Sequence, residues 1–249
     1  MVELKEEIED KKSFLFHLIE LRSCIIKAFL GWIFFSILVY LKVEEIIEFL
    51  LRPLYESFYV EKVIFFKTFP EVFSIYIKIA LIGGFILGSP YIFFQFWNFI
   101  APGLYFYEKR WIKKAFLLTC FAFLFGSSLA YFVFLPFIMK ILYSLGESFL
   151  VFKPLLTDYI TFVLKMFLLF GIVFQLPSFL LFLFSVKLIN SHLLRLYRGY
   201  FIILFFLVSA LITSSKDPLD QILLGLFLTI LYEVSIILIK IVEVRRNFL

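Results

Sequence analysis

Apolar runs separated by short polar connections organise this chain. After a charged stretch over residues 1–13, Leu15, Leu18, Ile19 and Arg22 recur at helical spacing. Ser13 to Arg22 is therefore expected to form an amphipathic helix on a membrane surface, with Ser13 as its cap, leading from the charged tail into the first span. Ile25 to Leu41 is the first apolar run, broken only by Lys27. The connection from Lys42 to Pro70 carries Ile46, Ile47, Leu50, Leu51 and Leu54 at helical spacing, which predicts a short interfacial helix ending near Pro53. Further apolar runs cover 72–99, 115–143, 159–184, 199–212 and 221–239. The third run, about 40 Å as a helix, exceeds the roughly 30 Å hydrocarbon core and must tilt, kink or project. The fifth is only about 21 Å, and with the tight polar turn over 213–220 it should thin the bilayer or sink that turn into it. The pattern predicts an all-α polytopic membrane protein with six transmembrane helices, the fifth and sixth short.

Composition agrees. With 63% hydrophobic residues, 22% aromatic residues, 38 Phe and a mean hydropathy of +1.03, no soluble domain of this length could hide its apolar surface. Residues 1–249 read as one transmembrane domain: a cytoplasmic segment 1–22, a six-helix region 23–241 and a cytoplasmic tail 242–249. Residues 1–13 lack the apolar core and cleavage site of a signal peptide, so the first span is expected to serve for targeting. The net charge of +5 is a topology signal rather than a nucleic-acid one. The regions before and around the first span's start, at 109–114, at 187–198 and at the C-terminus hold 15 Lys and Arg, against 7 in the connections of the opposite side. That bias places both termini in the cytoplasm.

Chemistry adds little that is enzymatic. Cys24 and Cys120 have neither the number nor the spacing of a disulfide framework or metal site, and His17 and His192 stand too far apart for metal ligation. There is no His-Glu-x-x-His, Gly-x-Ser-x-Gly or P-loop pattern, so no catalytic residue, metal or cofactor is expected. The most distinctive stretch is Pro90 to Lys114. It joins an aromatic-rich helix end to a turn at Ala101-Pro102-Gly103, then to Glu108 among Lys109, Arg110, Lys113 and Lys114. Pro102 and Gly103 suit a sharp helix-loop-helix corner, and aromatics followed by cations mark a cytoplasmic interface.

Gln95-x-Trp97-x-Phe99-Ile100-x-Pro102-x-Leu104-Tyr105-x-x-Glu108-Lys109-Arg110 resembles the first cytoplasmic loop of the TatC family, the multi-spanning receptor subunit of the twin-arginine protein translocase. The resemblance recurs at His17-Leu18-x-Glu20-Leu21-Arg22 and at Asp217 to Gln221. It implies a receptor in the cytoplasmic (inner) membrane of a prokaryote that binds the twin-arginine signal peptides of folded cargo. Glu20 and Glu108 would meet the paired guanidinium groups, with Arg22 and Phe99 shaping the site. It also implies single-span partner subunits of the TatA/TatB type, self-association in a larger complex, contact with membrane lipid and no nucleic acid. Energy would come from the proton-motive force.

Each residue also has a plainer reading. Glu20 and Arg22 could be a solvated charged pair at the start of a span, and Glu108 an ordinary loop acid. Inside the apolar runs stand Glu71, Lys78, Lys165, Gln175 and Glu233. Such groups default to a functional hypothesis. Glu71, just after Pro70, is more simply a helix cap, and Lys78 and Lys165 can snorkel outward. Gln175 lies too deep to snorkel. In the TatC family this position is often a glutamate; the amide here still offers donors and an acceptor to a partner helix. The turn Thr213 to Gln221 has Ser-Ser-Lys where the family has prolines. Asp217 and Gln221 there could cap the sixth helix or contact a partner. A transporter or channel using these intramembrane polar groups is the alternative to a receptor, though the uneven helix lengths and absence of an internal repeat favour a docking scaffold.

The charge bias makes a direct prediction. Reporter fusions at Arg110, Arg195 and Phe248 should read as cytoplasmic, and those near Glu61, Lys153 and Ser215 as the opposite side. A cytoplasmic reading at Glu61 would overturn the helix count.

Overall fold

The computed structural model describes residues 2–58, 68–101, 109–146, 155–213 and 218–247. These residues are almost wholly helical. The helices are α1 (Val2–Tyr40), α2 (Val43–Phe58), α3 (Phe69–Ile100), α4 (Lys109–Leu129), α5 (Leu135–Gly146), α6 (Leu156–Val173), α7 (Gln175–Ser185), α8 (Ser191–Leu196), α9 (Arg198–Thr213) and α10 (Pro218–Asn247). A π-helical turn, Ala130–Phe134, joins α4 to α5. Among the described residues, five stretches are long and apolar enough to cross a membrane: His17–Tyr40, Pro70–Ile100, Lys113–Ile141, Leu156–Ser185 and Leu224–Val244. Arg198–Ala210 is a shorter sixth. The polytopic all-α class follows.

Several boundaries differ from expectation. α1 is one 39-residue helix rather than a surface helix followed by a span, and Ser13 lies inside it rather than capping it. No Gly or Pro occurs before Gly31 to stop propagation. The fifth helix is short, as expected, but the sixth is not. α10 runs for 30 residues, through the segment expected to be a tail. The fourth span is two helices, α6 and α7, broken at Phe174. Pro177 cannot donate to the Val173 carbonyl, so the ladder parts one turn ahead of it. The expected cap at Glu71 is present: Oε2 accepts from the Thr68 amide at 3.2 Å.

The chain forms two compact units, residues 1–112 with 127–169 and residues 113–126 with 170–249. In the first, α1 packs along α3, and α2 folds back against α3 and α5. Lipid gives apolar helices no hydrophobic reason to associate, so close packing must supply it. Gly84 and Gly88 form a small-xxx-small face on α3. A Cβ at Gly84 would lie 2.5 Å from the Ser36 Cα, so only glycine allows this approach. Val39, Leu54, Ile75, Ile79, Leu135, Ile160 and Val163 close a core around α2. In the second unit α10 is the centre, contacted by α7, α8 and α9. Tyr232 is fully buried there; its hydroxyl donates to the Leu194 carbonyl at 2.7 Å, and its ring stacks on Phe201.

α2 does not end near Pro53 but continues through it. Proline at 53 leaves the Phe49 carbonyl without its amide donor. The Tyr131 hydroxyl donates to that carbonyl at 2.5 Å, and its ring stacks on Phe49 with centroids 4.3 Å apart. Beside it the Tyr159 hydroxyl donates to the Leu50 carbonyl at 2.8 Å and is met by the Leu54 amide. The Tyr131 phenol thus mends the ladder, and Tyr159 adds a second bond beside it.

This repair can be tested by a double-mutant cycle. Tyr131→Phe should lower unfolding free energy by about 1–3 kcal/mol, the cost of an unsatisfied buried carbonyl. In a Pro53→Ala background, where the substituted alanine restores the amide, the same change should cost under half as much. Denaturant unfolding in detergent gives both values; equal costs in both backgrounds would show that the phenol does not serve this carbonyl.

Candidate functional site

Within the first unit, α1 and α3 enclose a cavity of about 160 Å³. α1 contributes Glu20, Ser23, Cys24 and Lys27, and α3 contributes Gln95, Asn98 and Phe99. The spacings are i, i+3, i+4, i+7 and i, i+3, i+4, so each set occupies one helix face. The Cys24 thiol donates to the Gln95 carbonyl at 2.8 Å and stitches the two faces together. One turn before Glu20, His17 lies against Phe99 with ring centroids 5.4 Å apart. Its Nδ1 is 3.4 Å from Glu20 Oε2.

Glu20 is the conspicuous group. Its Oε2 is shielded from solvent yet accepts no hydrogen bond among the described residues. A carboxylate oxygen so placed is costly unless a donor arrives. Lys27 stands two turns further along α1, about 10 Å away along the axis, so the cavity is acidic at one end and basic at the other. Phe99 adds a half-buried ring to the wall.

Of the residues singled out in the sequence, the structure brings Glu20 and Phe99 together. Arg22 is exposed and does not line the cavity; residues two apart on a helix face nearly opposite ways. Glu108 and Asp217 lie outside the described residues. Ser23, Cys24, Lys27 and Asn98 were not singled out for this site. Counting three, four and seven residues on from Glu20 would have found the first three, and one further turn along the Gln95 motif would have found Asn98.

In the second unit, Gln175 opens α7 just after the break at Phe174. Its Nε2 donates to the Thr119 carbonyl of α4 at 3.0 Å, and one turn away the Thr119 and Ser178 hydroxyls pair at 3.1 Å. Part of the amide is therefore engaged within the chain. Gln221, at the start of α10, donates from Nε2 to the Phe206 carbonyl of α9 at 3.5 Å. Close by, a Cβ at Gly225 would meet the Phe206 ring at 2.8 Å. Glu233, midway along the α10 span, pairs with Arg198 at 2.6 Å, and α8 continues alongside α10, where the Ser191 hydroxyl bonds Glu243. The intramembrane acid at 233 is neutralised by the first residue of the short fifth span.

Residues 16–226 match the family described as Sec-independent protein translocase protein (TatC). The chain belongs to the TatC family. It is 37% identical to the TatC protein of Aquifex aeolicus over 233 residues, covering 93% of this chain and 96% of that one. Over 229 residues it is 35% identical to the TatC protein of Desulforapulum autotrophicum, covering 92% and 84%. Its fold superimposes on a crystal structure of the twin-arginine translocase receptor TatC with a TM-score of 0.77 at 37% identity, covering 90% of this chain and 98% of that one. A second crystal structure of that receptor, in the detergent DDM, gives 0.78. The resemblance drawn from the three sequence motifs was therefore a true family relationship. The TatC helices hold their polar groups in two places, a carboxylate-bearing cavity on the first unit and an internally bonded set on the second.

The bond from Gln175 has a measurable weight. Gln175→Leu should lower stability in detergent by about 0.6–1.7 kcal/mol, the range for interhelical side-chain hydrogen bonds in membranes. Thermal unfolding of the purified variant reads this directly; a melting temperature equal to that of the parent would mean that the bond to Thr119 is idle.

Proposed function

We propose that this TatC protein is the receptor subunit of a twin-arginine translocase in the inner membrane of a prokaryote, with the α1–α3 cavity as part of its signal-peptide site. The observation that carries the reading is the shielded, unsatisfied oxygen of Glu20 beside Phe99. An arginine guanidinium is the complementary group: planar, permanently charged and able to donate two parallel bonds to one carboxylate. An aromatic wall suits its face. Two adjacent arginines need two acids, and Glu108, eight positions after the end of α3 in the sequence, is the second. Lys27 at the far end of the cavity disfavours a third cation and orients the peptide with its arginines toward Glu20. Arg22, on another face of α1, acts on the surrounding surface rather than within the cavity.

The cation bias supports cytoplasmic termini and a cytoplasmic opening for this site. Recruitment of single-span TatA/TatB-type partners is proposed at Gln175, Asp217 and Gln221. Gln175 retains an amide oxygen for a polar residue on an incoming helix. The short α9 supports local thinning of the bilayer beside it, which lowers the cost of such a residue.

Titration of a labelled twin-arginine peptide into detergent-solubilised protein tests the receptor reading. Glu20→Gln should weaken binding by about 1.5–3 kcal/mol, roughly 10- to 150-fold, the worth of hydrogen bonds to a charged group. A twin-lysine peptide should bind the parent more weakly and lose less in the variant. Unchanged affinity in folded Glu20→Gln and Glu108→Gln proteins would remove the basis for the reading.

A further inference from the structure

Lys78 and Lys165 lie well inside apolar spans, and neither joins an ion pair among the described residues. An intramembrane ammonium without an anion is costly. Lys78 does not simply extend toward water: its Nζ donates to the Thr161 hydroxyl of α6 at 3.2 Å. Lys165 is one turn beyond Thr161 on the same face of α6, and its side chain is exposed. Thr161 thus stands between two cations, one held against it and one free. Asp158, three residues before Thr161, is exposed and pairs with neither lysine.

Depth and surroundings indicate what supplies the missing charge. The span Pro70–Ile100 holds 31 residues, about 45 Å, so centring it on a roughly 30 Å core leaves about 8 Å beyond it at either end. Lys78 then sits about 4 Å inside the core boundary, and Lys165 is one turn of α6 from the Thr161 that Lys78 reaches. A lysine stem reaches that far, which puts both ammonium groups at the level of lipid phosphates. Toward the membrane centre the face of α3 turns apolar and open: Leu81 is 42% exposed one turn from Lys78. A cationic end above an exposed apolar wall has the shape of a phospholipid.

We propose that Lys78, Thr161 and Lys165 form a binding site for an anionic phospholipid. The lysines and the threonine hydroxyl hold the phosphate, and an acyl chain lies along Leu81. The site is at the end of the first unit where α3 and α6 begin, away from the Glu20 cavity, and it does not depend on signal-peptide binding.

The test uses the whole purified protein in neutral detergent, titrated with short-chain phosphatidylglycerol or phosphatidylcholine and read by binding and melting temperature. Phosphatidylglycerol should bind more tightly and raise the melting temperature more. Near a membrane surface one lysine is worth about 1 kcal/mol, so Lys165→Gln should weaken phosphatidylglycerol binding about fivefold and Lys78→Gln/Lys165→Gln about 30-fold. Neither change should alter the phosphatidylcholine response, and Lys165→Arg should bind like the parent. Lys165 is exposed and joins no ion pair among the described residues, so the single variant keeps the test open if the double variant fails to fold. Equal binding of the two lipids, full retention in Lys165→Gln, or the same stabilisation by glycerol phosphate alone would each overturn the proposal.

Discussion

Every backbone carbonyl within a membrane protein must find a donor, because lipid offers none. Proline removes a donor each time it occurs, and four of the prolines in this chain interrupt helical runs. The structure answers each differently. At Pro53 the hydroxyl of Tyr131 comes from a distant helix. At Pro90 the repair is local, with the adjacent Ser89 hydroxyl donating to the freed Ile86 carbonyl at 2.8 Å. Ahead of Pro136 the ladder widens into a π turn. At Pro177 the helix breaks and a new one begins two residues earlier. These answers set the shape of α2, hold α3 continuous beneath the Glu20 cavity and place Gln175 at a helix start, where its side chain reaches Thr119.

Continuity of α1 and α3 is what makes the cavity possible. Its seven lining residues come from two unbroken helices whose faces are fixed by glycine contacts further along, at Gly84 and Gly88, and by the thiol bridge from Cys24. A kink in either helix would rotate Glu20 away from Phe99. The second unit uses polar groups in the opposite sense: Arg198 and Glu233, Ser191 and Glu243, and Gln175 and Thr119 satisfy one another within the chain. Among the described residues, Glu20 is met by His17 at 3.4 Å whereas Glu233 is held by an arginine at 2.6 Å, and that difference separates the candidate recognition site from scaffold.

The sequence carried the architecture because membrane insertion reads length and hydropathy directly, and the apolar runs, their order and the motif around Phe99 lay in consecutive residues. Pairings between distant residues were not legible in that way. Nothing local tells that Pro53 is tolerated, since the phenol that permits it is 78 positions on. Glu233 looked like an isolated intramembrane acid until Arg198, itself assigned to a polar link, was placed beside it. Arg22 was grouped with Glu20 by adjacency in the motif, whereas helical rotation separates them. The reading of Ser13 as a helix cap failed because amphipathic patterning marks a face and says nothing about where a helix starts.

The π turn at Ala130–Phe134 amounts to one surplus residue in an otherwise regular rod. Its effect is rotational: residues before it are turned by about 100° relative to those after it, compared with an unbroken α-helix. Tyr131, Leu135 and Met139 pack into one core across this turn, with Tyr131 against Phe49. The length of the chain between 130 and 135 therefore acts as an angular setting. Removing one residue there would keep every side-chain type and every apolar run, yet would swing the phenol off the carbonyl it serves.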